Sequence, residues 1–461
     1  MPSLFNWTSS IEAEIRNRRS WLASRRRSFH REENDALVRD ANSPILMASS
    51  SFHRKHLNRE AALLSFCDPI SEKCIRLQDL SSKEWSRLLH WLDVSGLALY
   101  FLDRMVELQW SDQLPAKVVA RLEKNLQDNR ERTRGMRVES VRIQQDFQNA
   151  RVRYATLKGF SLSPHSVPRP ELRHQFDLDF LIERRSAAGA REILERRGYR
   201  LDAVSGRSWE FKRHDAPGNI RDFYKDLPRR SVELHLEAEE PGYESLLQRV
   251  EMQEFYGIEM PVLSPVDLFI GQGLHAYKHV CSEFSRASHL LEFRRHVLSR
   301  ERDDSFWKEV QARADGDVKV SVGLGIVTLL ITRVMGDFAP EGLTDWTVRR
   351  LPKTVCLWVQ LYAGRVVFGN TPGSKLYLLL ERELESEGVR QRLSLRRAFV
   401  PLRLPPSVIR GTSGETLRVR MSRYRLQVSF VLLRLRFHVV EGLRYCHESY
   451  RWRQFVNRVI G

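Results

Sequence analysis

The chain has 461 residues, with 75 Lys and Arg against 58 Asp and Glu and a formal charge of +17. A content of 42% hydrophobic and 29% charged residues is that of globular material, which argues against disordered, fibrous and membrane-spanning classes. The charge alone fits nucleic acid, anionic lipid or a nucleotide substrate equally well. Its distribution says more. From Gln391 to Gly461 there are 15 Arg, no Lys or Asp and three Glu, a net +12, which leaves only +5 on the other 390 residues. The body is therefore not built as a nucleic-acid glove, and the tail needs its own explanation.

The five cysteines are scattered, odd in number and without a C-x-x-C pair, a pattern that predicts neither a zinc ribbon nor a disulfide framework and fits a reducing cytoplasm. Residues 1–27 show no apolar run followed by a small-residue cleavage site, as a secretory leader would. The longest uncharged apolar segment, Val320 to Thr332, has 13 residues. That is short of the roughly 20 needed to cross a bilayer, and it reads as a buried helix.

In chain order, residues 1–80 form a basic, irregular or helical segment and 81–150 a helical region. Ser81 and Glu84 make a capping box ahead of Trp85, Leu88, Leu89 and Leu92, and Pro115 opens a second helix with Val118, Val119, Leu122 and Leu126 on one face. An α/β unit is expected over 151–260. Its strands are placed at Ala155–Leu157, Phe176–Ile182, Tyr199–Val204, Trp209–Lys212, Ile220–Tyr224 and Ser231–Glu237, with a helix over Ala187–Arg197 stopped by Gly198. Ser264, Pro265 and Asp267 then mark the start of a helical domain over 261–390, and an Arg-rich helical tail occupies 391–461. The fold class is thus α+β, with a central mixed unit between helical regions.

Chemistry concentrates in that unit. In Asp177-Leu178-Asp179 the two carboxylates are two apart on a predicted strand, so both face one way while Leu178 and Phe180 face the core. Two adjacent anions repel unless a cation sits between them, and Mg²⁺ takes such oxygen donors together with substrate phosphates. A two-metal site needs a third acid. The strand Ser231–Glu237 offers Glu233 first and His235 second. Lys158-Gly159 upstream supplies a cation and a permissive backbone where a triphosphate could approach. His275 and His279 are four apart on the helix after Ser264. His275-Ala-Tyr-Lys-His279 has the spacing of a metal-binding pair but is not the H-E-x-x-H of zinc proteases, and these two histidines are read as lining the cleft or else decorating a helix face.

The ordered set Leu157-Lys-Gly159, Leu172-Arg173, Asp177-Leu-Asp-Phe-Leu-Ile182, Gly198-Tyr199 and Val232-Glu-Leu-His235, followed by Leu263-Ser-Pro-Val-Asp267 and Lys278-His279, resembles the bacterial uncharacterised nucleotidyltransferase family over roughly residues 80–300. The resemblance implies a polymerase-beta-like fold in which Asp177 and Asp179 hold Mg²⁺ and a nucleoside triphosphate such as ATP. Glu233 would complete the site, and Lys158 or Arg173 would neutralise phosphate. The implied reaction moves a nucleoside monophosphate to a hydroxyl of an unidentified protein, sugar or small molecule. Two positions depart from the pattern: Phe160 follows Gly159, and the third acid is Glu233 rather than Asp. The alternative is a non-catalytic nucleotide- or polyanion-binding module built on a degenerate site.

The tail interleaves arginine with Leu, Val, Tyr and Phe. It fits a basic face of a packed helix, or a peripheral contact with an anionic membrane surface through Tyr450, Trp452 and Phe455, or a contact with a polyanion such as RNA.

Overall fold

In the computed structural model the described residues are 50–213, 223–225, 230–239, 244–370, 372–385, 390–400 and 416–459. Two compact units, 1–54 and 55–461, divide the chain, and the second carries the architecture that follows. Among the described residues four α-helices come first: α1 (Ser50–Leu64), α2 (Ser82–Ser95), α3 (Ala98–Glu107) and α4 (Ala116–Asn149). The Ser81–Glu84 capping box is present at the start of α2, satisfying two backbone N–H groups that the helix itself leaves unpaired. The second predicted helix and the polar stretch after it are one continuous 34-residue helix. Its first turns give Val118 and Leu122 to the helical core, whereas Met136, Ile143 and Phe147 enter the core beneath the sheet.

The α/β unit follows as β1 (Tyr154–Leu157), β2 (Asp177–Ile182), α5 (Ala187–Arg196), β3 (Tyr199–Ser205), β4 (Ser208–Arg213), β5 (Ser231–Leu236), β6 (Glu251–Phe255) and β7 (Ile258–Val262). They form one mixed sheet in the order β3-β4-β5-β2-β1-β7-β6. Parallel pairing of β2 with β5 sets Asp177 opposite Ser231, Asp179 opposite Glu233 and Leu181 opposite His235. Gly198, at φ +85°, turns the chain from α5 into β3. Most of the strand expected at Ile220–Tyr224 lies outside the described residues, while Phe223 and Tyr224 occupy a bend. The β6–β7 hairpin went unpredicted. It sits at the sheet edge with Met252 exposed, and an edge strand needs little of the apolar alternation that betrays a central one.

Strand alternation sorts this sheet into two faces. Leu178, Phe180, Ile182, Val232, Leu234 and Leu236 pack under it against α4 and α5, so the odd-numbered acids of β2 and β5 must face the other way. Phe180 meets Phe147 and Tyr154 edge to face, with centroids 5.5 and 6.0 Å apart.

The remaining helices are α6 (Pro265–Val280), α7 (Ala287–Ser299), α8 (Asp304–Ala314), α9 (Val318–Met335), α10 (Glu341–Thr344), α11 (Lys353–Val367), α12 (Tyr377–Leu384), α13 (Arg390–Phe399) and α14 (Leu417–Val459). Ser264 caps α6 by accepting from the Asp267 backbone N–H. The apolar run at 320–332 lies in α9, which is long and apolar enough to span a bilayer by length and composition. Leu324, Ile326, Val327, Leu330 and Ile331 are nevertheless wholly buried, and the helix packs between α6 and α11. It is the centre of a helical core.

The tail helix α14 behaves as two halves. Trp452 is 1% exposed and donates to Glu383 Oε1 at 2.9 Å, and Glu448 receives Arg365 at 2.9 Å and the Tyr362 hydroxyl at 3.2 Å. Membrane insertion of Trp452 is therefore overturned, because that ring is spent on packing against α11 and α12. Leu417, Met421, Leu432, Leu433 and Leu435, in the other half, are exposed.

One buried knot ties the sheet unit to the helices. The loop before β2 carries Arg173, whose Nε donates to Glu292 Oε1 on α7 at 3.2 Å. The same carboxylate accepts from the Tyr100 hydroxyl of α3 at 3.0 Å and has His289 Nδ1 3.8 Å away. Asn129 of α4 donates to the carbonyls of Glu171 and Arg173, which fixes the loop from beneath.

Two stability predictions follow from these contacts. Phe180→Ala removes a fully buried ring that the aromatic cluster cannot refill, and should cost about 3–5 kcal/mol in urea unfolding. For Glu292, burial alone raises the carboxyl, but Arg173, His289 and Tyr100 outweigh it and hold the group at about 2 instead of 4.5. A depressed folded value means stability that is complete above pH 4.5 and lost as pH falls toward 2. Glu292→Gln should lose about 3–5 kcal/mol at pH 7 and lack this part of the acid decline, as measured by unfolding at several pH values.

Candidate active site

The turn from β1 into the next segment places a lysine over the acids. Lys158 and Gly159 both have positive φ, +52° and +47°. A Cβ on Gly159 would lie 3.1 Å from Gln175 Oε1, so at this positive φ glycine fits with the least strain. Phe160 is buried, its ring tilted against Phe255 with centroids 5.0 Å apart, which explains its presence after Gly159: it anchors the turn to the β6–β7 hairpin.

Lys158 Nζ donates to Asp179 Oδ1 at 2.8 Å, and His235 Nε2 lies 3.0 Å from the same oxygen. His235 Nε2 is also 3.5 Å from Glu233 Oε2, while Ser208 of β4 donates to Glu233 Oε1. Asp179, Glu233 and His235 each present a donor atom within 4.8 Å of the others. Burial works to raise Asp179, but bonds and charge from His235 and Lys158 carry it well below the ordinary carboxylate range. Asp177 moves the opposite way. Burial pushes it up, the negative charge of Asp179 adds to the push, and Lys158 and Arg173 only partly oppose it. Lys158 itself is drawn down by burial yet held above its usual value by Asp179, with Asp177 and Glu233 contributing. Three carboxylates and one imidazole thus gather on one face of β2 and β5, carrying more negative charge than the neighbouring lysine cancels.

Beside the acids a partly open cavity is lined by Lys158, Arg173, Gln272, His275, His289 and Glu292, among apolar residues from Leu157, Leu162, Leu263 and Leu268. Lys158 belongs to both places, bonding Asp179 and lining the cavity. Arg173 reaches the cavity with its guanidinium already engaged by Glu292 and by Gln175 Oε1 at 3.4 Å. Arg286, at the start of α7, is lowered by burial and then by Arg173, and the negative charge of Asp177 acts against that.

The structure therefore brings Asp177, Asp179, Glu233, His235 and Lys158 together, and puts Arg173 and His275 on the adjoining cavity. His279 stands behind His275, ring centroids 4.6 Å apart. Sequence reasoning missed Ser208, Arg286, His289 and Glu292. Ser208 became adjacent through antiparallel pairing of β4 with β5, and the other three come from α7, more than 100 residues beyond the paired aspartates. Only Glu292 left a local trace, since His289 precedes it by one helical turn.

A search of curated proteins gives no match. Among solved structures, an antigenic nucleotidyltransferase-like protein from Paracoccidioides brasiliensis aligns at 16% identity over 41% of this chain and 90% of its own, with a TM-score of 0.25. The family model described as uncharacterised nucleotidyltransferase matches residues 81–336, an interval that contains the acids, the lysine turn and the whole cavity wall. The chain belongs to the uncharacterised nucleotidyltransferase family.

Proposed function

We propose that the protein transfers a nucleoside monophosphate from a nucleoside triphosphate to a hydroxyl acceptor in a Mg²⁺-dependent reaction. The observation that carries this reading is the pairing of Asp179 with Glu233 across parallel strands, next to Asp177 and under Lys158. The donor set suits a hard divalent cation, since it is made of carboxylate oxygens and Asp177 is raised by burial and the charge of Asp179, a repulsion that a cation relieves. Asp177, Asp179 and Glu233 would hold Mg²⁺, which when bound supplies charge neutralisation for the triphosphate.

The protein's own groups do the rest. Lys158 lies between the acids and the cavity, where it meets phosphate oxygens, and Arg173 and Arg286 add positive potential on the α7 side. The acceptor oxygen attacks the α-phosphorus, the bond to the bridging oxygen breaks, and pyrophosphate leaves. The acceptor's proton passes to Glu233, held in place by Ser208 and flanked by His235. Apolar residues such as Leu162 and Leu268 line the same cavity and limit water around the reacting groups.

Incubation with Mg²⁺, each α-labelled triphosphate and cell extract as acceptor source should give labelled product and pyrophosphate. Asp179→Asn and Lys158→Ala should each lower the rate by about 10²–10³-fold or more. Triphosphate binding without turnover for every nucleotide would instead identify a binding module.

For the tail, we propose that the exposed half of α14, with Leu417, Met421, Leu432, Leu433 and Leu435 set among arginines, docks on an anionic membrane surface. The full-length protein should float with liposomes containing phosphatidylserine, and Leu432→Gln/Leu433→Gln should abolish flotation at unchanged thermal stability. Flotation equal to wild type in that variant would sink the membrane reading and leave packing or a polyanion.

A further inference from the structure

A second cluster of titratable groups lies on α6 and α7, away from the carboxylates. His275 and His279 occupy successive turns of α6, and His289 faces them from the first turn of α7. The three rings form a closed triangle, with centroid separations of 4.6, 4.8 and 4.4 Å. One ring nitrogen from each lies within 4.8 Å of the other two. We propose that His275, His279 and His289 bind a zinc-class transition-metal ion, with a further coordination position open to the cavity that His275 and His289 line.

One hydrogen bond outside the triangle sets the tautomer of His279. His279 Nδ1 lies 3.0 Å from the Phe284 carbonyl oxygen, which can only accept, so Nδ1 carries the proton and Nε2 keeps its lone pair. His289 Nδ1 faces Glu292 Oε2 at 3.8 Å, so the carboxylate attracts that side of the ring without a hydrogen bond. A carbonyl and a carboxylate behind two imidazoles are the groups that orient histidines toward a metal. Burial disfavours protonation of all three rings, and neighbouring histidines disfavour it further at His275 and His279.

Lone pairs of three neutral imidazoles gathered in a half-buried pocket repel one another, and a shared cation removes that cost. Tetrahedral donors about 2.0–2.1 Å from an ion sit roughly 3.4 Å apart, so modest ring rotations close the triangle. Imidazole nitrogen prefers Zn²⁺ and its neighbours in the first transition row, whereas the carboxylate cluster suits Mg²⁺. Three protein ligands leave one tetrahedral position for water or an incoming oxygen. Since His275 and His289 share the cavity wall with Lys158 and Arg173, that oxygen comes from the cavity. The ligands are three imidazoles and none of the carboxylates of β2 and β5, so metal binding here is measured without nucleotidyl transfer.

The test uses full-length protein stripped with chelator and titrated with Co²⁺ alone. One equivalent should produce the visible absorption of a four-coordinate nitrogen site, and Asp179→Asn should retain it, because that substitution disables only the carboxylate cluster. His279→Ala and His275→Gln, both at half-buried positions, should each weaken Co²⁺ binding by at least about 100-fold. No absorption from the wild-type protein overturns the proposal. So does absorption that survives both histidine substitutions, or that vanishes in Asp179→Asn.

Discussion

The buried ion pair between Arg173 and Glu292 is the constraint around which the molecule is arranged. Glu292 on α7 gathers Tyr100 from α3, Arg173 from the loop before β2 and His289 from its own helix. Three regions of the chain that share no sequence proximity are thereby joined. A buried charge without a partner is costly, so the sheet unit and the helical domain cannot separate there without exposing or stranding one. The cavity is the space this joint leaves between β1, the Arg173 loop, α6 and α7.

On the sheet side, simple alternation does the corresponding work. Because neighbouring residues on β2 and β5 point to opposite faces, the leucines and phenylalanine that anchor the strands also force the acids outward together. Parallel register then brings Asp179 beside Glu233. Electrostatics within the cluster is divided unequally, with Asp179 stabilised as an anion by Lys158 and His235 while Asp177 bears the strain of burial. The two carboxylates of one short motif are thus chemically distinct before any ligand arrives.

The excess positive charge has a more mixed role. In the docked half of α14 the Trp452 ring and the Glu448 carboxylate, paired with Arg365 of α11, serve packing. The exposed half presents leucines and arginines without comparable burial. One helix therefore has two environments, which a residue count over the tail could not separate.

Local chemistry made much of this legible from sequence. The Ser81–Glu84 cap, the Ser264–Asp267 cap, Gly198 as a helix stop and the two-residue spacing of Asp177 and Asp179 depend on neighbours a few positions away, and the sequence by itself determined them. Other features depend on partners distant in the chain. That Phe160 is a core residue, that Arg173 is committed to Glu292, that Trp452 is buried and that His289 joins His275 and His279 all follow from how α7, α14 and the sheet come together. Side-chain spacing along one element fixes which groups share a face. Only tertiary packing decides what that face meets, because burial and pairing energies arise between elements that the linear pattern does not relate.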